Sequence, residues 1–326
     1  MTRKSTGAAA VVTGLGTCLP TRAVDNHELS RRLDTSHEWI HSRTGITRRR
    51  VADAGTSTAD LAVAAGAAAL NSGGREACDL VVLATTTPDR RCPATAPEVA
   101  SALGLPGIPA FDLSAVCSGF VYGLTTAAAM ITSGTYDSAL VIGAERYSSI
   151  IDPEDRATAV IFGDGAGAVL LERGEAGTPG AVLHTELGSD GTGRELITIP
   201  PGSPHLTMAG REVYASAVAT MAESARRVSE AVGWQPTDVD AFVGHQANQR
   251  ILDAVARRLA LPTDRMITNI EDIGNTAAAS IPLALASAVE EGHLKCGDRV
   301  ILTAFGGGVT WGSAALIWSD IKPVHR

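Results

Sequence analysis

Three side chains capable of covalent or acid–base chemistry follow strand-like runs in this sequence. Cys117 ends the run FDLSAV and precedes the small-residue stretch SGFVYGL, so it is predicted to open a helix. The helix dipole and free backbone N–H groups stabilise a thiolate in that position, which predicts a nucleophile with a lowered pKa. His245 follows DAFVG and Asn275 follows a glycine, each before another helical stretch. Taken singly, a buried structural thiol, a structural histidine and a helix cap are the alternatives.

An internal repeat relates the elements that hold these residues. DLVVLAT begins at Asp79 and the similar run DAFVGHQ begins at Asp240. DSALVIGA begins at Asp137 and DRVILTAF begins at Asp298, so the same length of chain separates the members of both pairs. We call this shared separation the repeat spacing. It predicts two duplicated halves, each with its own sheet, although chance similarity between β-rich runs is the alternative.

The repeat spacing places the helix after Cys117 opposite a second small-residue helix. One repeat spacing after Cys117 stands Ala278, which lies in GNTAAASIPLALASAV. If a pseudo-twofold axis relates the halves, the two helix starts face each other near the centre of the molecule. We therefore expect Asn275 to lie close to Cys117, although the two are far apart in the chain.

Composition and charge argue against several classes of function. The 326 residues are 45% hydrophobic and 19% charged, and short strands alternate with Ala-rich helical runs as in an α/β fold. A formal net charge of −8 disfavours nucleic acid as a partner. The five cysteines are scattered without a CxxC pair, and we predict neither a disulfide framework nor a metal site.

Neither a membrane span nor a targeting segment is predicted. The Ala-rich run at 61–70 is far shorter than the roughly 20 residues that a span needs. The chain has a basic start followed by AAAVVTGLG, which we interpret as a strand and then a turn at Gly14 and Gly16 rather than as a signal peptide. The protein is therefore predicted to be cytoplasmic.

Seven segments spread over nearly the whole chain form a recognisable series. They are DTSHEWIHSRTGI (34–46), FDLSAVCSGF (111–120), DPEDRATAVIFGDGAGAVLL (152–171), HLTMAGREVY (205–214), GHQANQRI (244–251), GNTAAASIP (274–282) and AFGGGVTWGSA (304–314). In order and spacing they resemble the β-ketoacyl-ACP synthase III family. These are the initiating condensing enzymes of type II fatty acid synthesis, within the thiolase-like superfamily.

The resemblance implies a five-layered αβαβα fold and a homodimer. The two thiolase-like halves would be residues 1–174, with the nucleophile, and residues 175–326, with His245 and Asn275. The implied substrates are acyl-CoA and malonyl-ACP, with no cofactor. Cys117 would take the acyl group from acyl-CoA. Malonyl-ACP would then lose carbon dioxide, and its enolate would attack the acyl-enzyme to give 3-ketoacyl-ACP.

Neutral hydrogen-bond donors suit this reaction, because decarboxylation builds negative charge on the malonyl thioester oxygen. Under the resemblance, the imidazole of His245 and the amide of Asn275 would stabilise the enolate without protonating its carbon. The backbone N–H groups of Cys117 and Gly307 would hold the oxyanion of acyl transfer. The glycines of FGGG (305–308) suit that role because a peptide N–H can point inward where a side chain would block the site.

The resemblance also assigns substrate-binding residues. Trp39 would lie against the CoA adenine, Arg43 near the CoA phosphates and Arg156 on the other side of the nucleotide, as suits an aromatic–guanidinium clamp. Asn248 would contact the pantetheine arm. The remaining predicted substrate-binding residues are Phe305, Arg211 and Cys92.

Two further expectations concern the carrier protein and the acyl group. Arg250, Arg257 and Arg258 lie on the amphipathic run QRILDAVARR and are predicted to bind an acidic acyl carrier protein, although a solvated face is the alternative. Cys92 stands where family members often have a bulky aromatic that crosses the dimer interface and caps the acyl pocket. We therefore expect a deeper pocket that accepts starters longer or more branched than acetyl.

Two other activities remain open from the sequence. A relative that primes a polyketide or other specialised pathway would carry the same residues. An acyltransferase that moves the acyl group from Cys117 to an alcohol or amine is disfavoured, because only decarboxylative condensation strictly needs both His245 and Asn275.

Overall fold

Two β-sheets organise the computed structural model, which describes residues 7–326. Residues 1–6, which include the basic start of the chain, lie outside the described residues. In chain order the strands are β1 Ala8–Cys18, β2 Ala23–Asp25, β3 Arg48–Arg50, β4 Val81–Ala84, β5 Ala110–Leu113, β6 Ser138–Arg146, β7 Asp164–Glu175, β8 Val182–Ser189, β9 Ile197–Thr198, β10 Thr207–Met208, β11 Ala241–Gly244, β12 Arg299–Gly306, β13 Thr310–Ile317 and β14 Val324–His325. The α-helices are α1 Asn26–Ser30, α2 His37–Thr44, α3 Thr58–Ser72, α4 Ala96–Ala102, α5 Gly119–Thr132, α6 Gly210–Ala231, α7 Gln249–Arg258, α8 Ile270–Ile273 and α9 Ser280–Glu290.

Helices and sheets alternate in five layers. The sheet of the N-terminal half has the strand order β14-β1-β7-β6-β4-β5, and the sheet of the C-terminal half has the order β11-β12-β13-β8. Helices α5 and α9 pack between the two sheets. Helices α3 and α4 cover the outer face of the first sheet, and α6 and α7 cover that of the second. This arrangement confirms the predicted five-layered αβαβα fold.

The segment around β4 shows how the sequence builds these layers. Its run LVVLA is apolar throughout because both faces of the strand are buried. Leu80 and Val82 join the central core with α5 and α9, whereas Val81 and Leu83 join the core beneath α3. All four are at most 1% exposed, and burying each such side chain contributes about 1.5–3 kcal/mol.

The strand register confirms the internal repeat. Val81 pairs with Leu140 in the first sheet, and Phe242 pairs with Ile301 in the second. Each member of the second pair follows its counterpart in the first by the repeat spacing. The boundary between residues 174 and 175 stays a prediction, and it falls one residue before the end of β7. At the far end of the chain, β14 crosses over to pair with β1 of the N-terminal half.

The turn predicted at Gly14 and Gly16 is wrong. Strand β1 continues through both glycines to Cys18. A Cβ atom on Gly14 would lie 2.3 Å from the carbonyl oxygen of Ala69, and one on Gly16 would lie 2.1 Å from the Ala69 nitrogen. The glycines therefore let α3 pack directly on the strand backbone, which is the other reason for glycine in a strand.

None of the helices in residues 7–326 has the length and apolar character needed to cross a membrane. The longest, α6, has 22 residues and is amphipathic. It buries one face against the second sheet and exposes ion pairs on the other, where Arg226 bonds to Glu223 and Glu230.

Candidate active site

Cys117 lies in a strained turn between β5 and α5. The turn spans Val116–Ser118, and Val116 has a φ of 50°, a left-handed conformation that is unusual for a β-branched residue. Ala277 begins the equivalent turn before α9 and has a φ of 45°. Because Ala277 follows Val116 by the repeat spacing, the turns confirm the predicted equivalence of Cys117 and Ala278. Strain of this kind concentrates at functional sites.

The thiol of Cys117 is buried, with 6% of the residue exposed. Burial, with a smaller contribution from the Glu145 carboxylate, raises the pKa of Cys117 to about 12. The Tyr147 hydroxyl and the residue's own backbone N–H act in the opposite direction. The lowered pKa expected at a helix start is therefore wrong, because removing the thiolate from water outweighs the effect of the helix.

His245 follows β11 as predicted and is a neutral imidazole. It is 1% exposed, and burial lowers its pKa to about 3. Its Nδ1 lies 2.6 Å from the Ser280 hydroxyl, which also accepts a hydrogen bond from the Gln246 backbone N–H at 3.3 Å. We assign the Ser280 O–H as the donor to Nδ1, which leaves the imidazole proton on Nε2. His245 can then donate a hydrogen bond without carrying charge.

Backbone hydrogen bonds hold Asn275 on both sides. Its N–H donates to the Ile161 carbonyl at 3.0 Å, and its carbonyl accepts from the Gly163 N–H at 2.9 Å. Its side-chain Oδ1 accepts from the Ala277 N–H at 2.9 Å. The amide oxygen is thus occupied within the turn, and Nδ2 is the group that can donate to a ligand.

One cavity of about 550 Å³ joins the predicted catalytic residues. Cys117, His245 and Asn275 all line it, as does Phe305 near the end of β12. The expected proximity of Asn275 to Cys117 is therefore observed, and their catalytic roles stay predictions. The inner wall is mostly apolar, with Tyr147, Ile161, Phe162, Ile197 and Met208.

Arginines and an exposed tryptophan surround the cavity mouth. Trp39 on α2 is 37% exposed, and the guanidinium carbon of Arg156 lies 5.0 Å from the centre of its ring. Arg156 therefore stacks on Trp39 itself. Arg43, Arg211 and Arg250 line the same cavity, which gives it a basic mouth in a chain of net charge −8.

Asn248 has both side-chain groups engaged at this mouth. Its Oδ1 accepts from the Arg250 N–H at 2.9 Å and caps α7. Its Nδ2 donates to the Arg43 carbonyl at 2.9 Å, which ties α7 to α2. Asn248 lines the cavity, so the predicted contact with pantetheine remains a prediction, now beside a clear structural role.

Glycines allow the second half to approach the nucleophile. A Cβ on Gly306 would lie 2.9 Å from the Cys117 backbone nitrogen, too close for any side chain. Gly307, the predicted oxyanion donor, follows at the start of the next turn and is buried. The hydroxyls of Ser118 and Thr310 lie 2.8 Å apart and join the two turns. This hydroxyl pair was not predicted, because nothing local in the sequence couples two residues so distant in the chain.

Five predicted residues do not line the cavity, namely Arg156, Gly307, Cys92, Arg257 and Arg258. Cys92 is exposed and does not line the cavity of its own chain. Arg257 and Arg258 are exposed at the far end of α7, about 10 Å along the helix from Arg250. Of the predicted basic face, Arg250 therefore lies at the cavity mouth, whereas Arg257 and Arg258 lie at the other end of α7.

Glu145 is a buried acid that the sequence reading did not single out. It is fully buried, and burial raises its pKa to about 7. Its carboxylate accepts from the backbone N–H of Thr86 and from the hydroxyls of Thr86 and Thr87. A charged residue at the end of the apolar run ALVIGAE was the available signal.

His37 and His41 stand four residues apart on α2, a spacing that two metal ligands can have. Their rings are instead stacked at 5.8 Å, and His37 is stacked on His27 at 5.2 Å. In residues 7–326, no group of three His, Cys, Asp or Glu side chains is placed to hold a metal ion.

Family models match both halves of the chain. The model for 3-oxoacyl-[acyl-carrier-protein (ACP)] synthase III matches residues 111–191, and the model for its C terminal part matches residues 229–318. The first match contains Cys117, and the second contains His245 and Asn275.

Individual proteins match over nearly the whole chain. Beta-ketoacyl-[acyl-carrier-protein] synthase III 2 of Streptomyces coelicolor is 71% identical over 318 residues, 98% of this chain and 96% of the relative. The crystal structure of 3-oxoacyl-(acyl carrier protein) synthase III from Pseudomonas aeruginosa is 51% identical, with a TM-score of 0.94 over 97% of this chain and all of the other. The priming β-ketosynthase of the R1128 polyketide pathway is 35% identical, with a TM-score of 0.91 over 98% of this chain and 99% of the other.

Proposed function

Because this chain belongs to the β-ketoacyl-[acyl-carrier-protein] synthase III family, we propose that it condenses a short acyl-CoA with malonyl-ACP and so initiates type II fatty acid synthesis. The observation that carries the proposal is a single cavity lined by a thiol and two neutral hydrogen-bond donors, Cys117, His245 and Asn275. The product is 3-ketoacyl-ACP, and the enzyme is an acyltransferase.

Acyl transfer to Cys117 is the first stage. The sulfur bonds to the thioester carbon of acyl-CoA, the bond from that carbon to the CoA sulfur breaks, and the thiol proton leaves with CoA. The backbone N–H groups of Cys117 and Gly307 stabilise the tetrahedral oxyanion, and losing one such donor typically costs about 3 kcal/mol of barrier. His245 is a poor base for this step, since its pKa of about 3 keeps it from taking the thiol proton.

Condensation is the second stage, and neutral donors serve it. Loss of carbon dioxide from malonyl-ACP leaves an enolate whose oxygen accepts from His245 Nε2–H and Asn275 Nδ2–H. The enolate carbon bonds to the acyl carbon, and the thioester bond to Cys117 breaks. The sulfur leaves as a thiolate and takes up one proton from water. A neutral imidazole holds the enolate without quenching it, which the strong desolvation of His245 supports.

Anionic partners fit the cavity mouth. Arg43, Arg211 and Arg250 line it, and these cations suit the phosphates of CoA and of the carrier's phosphopantetheine. Trp39 and Arg156 provide the surface for the adenine. Exposed arginines on α7 extend the positive charge toward an acidic carrier protein. No cofactor takes part in this chemistry, and we place the enzyme in the cytoplasm.

The starter group is set by a second subunit in this proposal. In a homodimer, Cys92 of the partner subunit reaches the acyl pocket and leaves it deeper than an aromatic side chain would. Hexanoyl-CoA and isobutyryl-CoA are then accepted beside acetyl-CoA, and Cys92→Phe narrows the range to acetyl. A strict acetyl preference in the unmodified enzyme would refute the deeper pocket. A monomer in light scattering would refute an acyl pocket that two subunits share.

Priming of a polyketide pathway is the second candidate function. The likeness to the R1128 priming enzyme, at 35% identity, supports it, but less strongly than the 71% identity to the Streptomyces coelicolor synthase III supports initiation of fatty acid synthesis. The chemistry is the same, and only the carrier protein and the starter differ. Turnover on the carrier protein of fatty acid synthesis compared with that on a polyketide carrier separates the two.

Intact-mass analysis tests the reaction directly. The protein is incubated with acetyl-, isobutyryl- and hexanoyl-CoA and then chased with malonyl-ACP. We expect a mass gain of one acyl group that Cys117→Ala abolishes and that the chase discharges. Cys78→Ala is the matched control, since Cys78 is a buried thiol beneath α3 and away from the cavity. Acylation that malonyl-ACP cannot discharge would indicate a simple acyltransferase, and absence of acylation would overturn the role of Cys117.

A further inference from the structure

Tyr147 lines the apolar part of the cavity, and its hydroxyl oxygen is buried. It follows β6, is 0% exposed and stacks on Phe162, with the ring centres 4.6 Å apart. Within residues 7–326 its hydroxyl has no hydrogen-bond partner of acceptable geometry. A buried polar group without a partner costs folding free energy, and in a native protein it calls for an explanation. A partner that is present only at one stage of a reaction is such an explanation.

The proposed nucleophile, Cys117, is the reactive group that shares this part of the cavity with Tyr147. Tyr147 and Cys117 line the same cavity and pack in the same cluster of buried side chains. The hydroxyl is close enough to lower the pKa of the thiol, although it is not aligned for a full hydrogen bond. Catalytic hydrogen bonds are often long or misaligned in an unliganded enzyme and tighten during the reaction.

Apart from Tyr147, only the backbone N–H of Cys117 itself lowers the pKa of the thiol. Burial and Glu145 both disfavour the negative charge. His245 is neutral, and the arginines of the site line the mouth. Tyr147 keeps its own proton, because burial and the charges of Cys117 and Glu145 raise its pKa well above 10, against a smaller opposite effect of the nearby Thr86 side chain. It can therefore donate a hydrogen bond but cannot act as a base.

We propose that Tyr147 is a further catalytic residue, whose hydroxyl donates a hydrogen bond to the Cys117 sulfur as that sulfur becomes the attacking thiolate. A thiolate accepts such a bond far better than a thiol or a thioester does, since the bond is then charge-assisted. The stabilisation is therefore greatest where charge develops, which is the condition for accelerating a step. The same donor speeds the departure of Cys117 when condensation releases it.

Tyr147→Phe is the direct test, because it removes the hydroxyl and keeps the ring that stacks on Phe162. Tyr122→Phe is the matched control. Tyr122 lies on α5, its hydroxyl donates to the Gly188 carbonyl at 2.8 Å, and it does not line the cavity. Two rates are measured for each variant: alkylation of Cys117 by iodoacetamide as a function of pH, and acylation by acetyl-CoA.

For Tyr147→Phe we expect the alkylation profile to move to higher pH and acylation to slow about 10- to 100-fold, as for loss of a hydrogen bond to a charged group. Tyr122→Phe is expected to leave both unchanged. Site-specific replacement of Tyr147 by 2,3-difluorotyrosine, a stronger donor, is expected to move the profile to lower pH. A folding defect cannot produce that opposite shift.

Two results would overturn the proposal. In the first, Tyr147→Phe folds with an unmoved alkylation profile. In the second, only the preference among acyl groups changes, which would make the hydroxyl part of the acyl pocket. The inference rests on Cys117 as the nucleophile of the proposed function. Alkylation reports on the thiol without any thioester, so failure of the proposed reaction and failure of this inference remain distinguishable.

Discussion

The two halves of the molecule bring the same turn to the contact between them but do not share the chemistry equally. The N-terminal half provides Cys117 after the left-handed Val116, and the C-terminal half has Ala278 after the left-handed Ala277. Backbone geometry is therefore common to both turns, and the thiol of Cys117 distinguishes the turn of the proposed nucleophile from its counterpart.

The hydrogen-bond donor His245 belongs instead to the C-terminal half, and its counterpart in the N-terminal half is not polar. By the repeat spacing, His245 is the counterpart of Ala84, and its partner Ser280 is the counterpart of Gly119. In the N-terminal half a Cβ on Gly119 would lie 3.0 Å from the Ala84 Cβ, so that contact has no room for polar side chains. In the C-terminal half the same contact is the 2.6 Å hydrogen bond between His245 and Ser280. Each half alone is thus incomplete, and the proposed active site forms only where the two halves pack together.

Replacing His245 with the residue of the other half is expected to have the largest effect. His245→Ala removes one donor to the enolate, so condensation falls about 100- to 1,000-fold, the usual cost of one such donor. Formation of the acyl-enzyme, which does not use this donor, is retained in intact-mass analysis. His184→Ala, an exposed histidine on β8, serves as the control. Loss of acylation in His245→Ala would contradict this separation of roles.

Gly306 tests how closely the C-terminal half must approach the turn that holds Cys117. Its counterpart in the N-terminal half is Glu145, but a Cβ on Gly306 would meet the Cys117 nitrogen at 2.9 Å. Gly306→Ala therefore pushes the Cys117 turn away from its oxyanion geometry, and a misplacement of about 1 Å can cost about 100-fold. Acylation rates measure the loss. Gly191→Ala, where a Cβ has nothing within 4 Å, is expected to match the unmodified enzyme.

Ser280→Ala is expected to give a smaller loss that sharpens the contrast between donors. Without the Ser280 hydroxyl, Nδ1 of His245 loses the partner that fixes the tautomer, and we expect about a 10-fold fall in condensation from loss of one hydrogen bond. Acylation is expected to stay unchanged. Ser287→Ala removes a hydroxyl of the same helix that bonds to Asn269 instead. Equal effects of the two variants would reduce Ser280 to a packing role.

The smallest expected effect is on the free energy of unfolding. Its pH dependence has opposite signs for the buried Glu145 of the N-terminal half and the buried His245 of the C-terminal half. Folding raises the pKa of Glu145 from 4.5 to about 7, so its contribution to stability is lost as pH rises through that window. Folding lowers the pKa of His245 from 6.5 to about 3, so its contribution is lost as pH falls. Between about pH 4.5 and 6.5 the two slopes oppose each other, each about 1.4 kcal/mol per pH unit at most.

Denaturant unfolding at pH 5, 5.5, 6 and 6.5 measures these slopes. Glu145→Gln is expected to leave a stability that rises with pH, and His245→Ala one that falls with pH. If both variants kept the pH dependence of the unmodified protein, folding would not raise the pKa of Glu145 or lower that of His245.

The sequence predicted the layers and the meeting of distant residues because both depend on patterns. The repeat spacing was enough to bring Asn275 toward Cys117. The resemblance to a family added Trp39 and Gly307, which no periodicity marks. Such inferences need only the order of elements and the residue types.

What the sequence could not predict depends on burial and on side-chain partners. The raised pKa of Cys117 comes from desolvation, which appears only when both halves close over the thiol. Ser280 and Tyr147 are ordinary residues in the sequence, and only the fold brings the Ser280 hydroxyl to His245 and Tyr147 into the same cluster as Cys117. The glycines of β1 were misread because a turn and a close helix contact favour the same residue.

The left-handed turn at Ala277 has a consequence for how such an enzyme arises. Ala277 adopts the same unusual conformation as Val116 although no thiol follows it. The strained backbone therefore belongs to the shared ancestry of the two halves and did not have to be selected together with the nucleophile. On a duplicated scaffold of this kind, a new active site requires only that a few side chains change in each copy. That is a far shorter evolutionary path than inventing the turn.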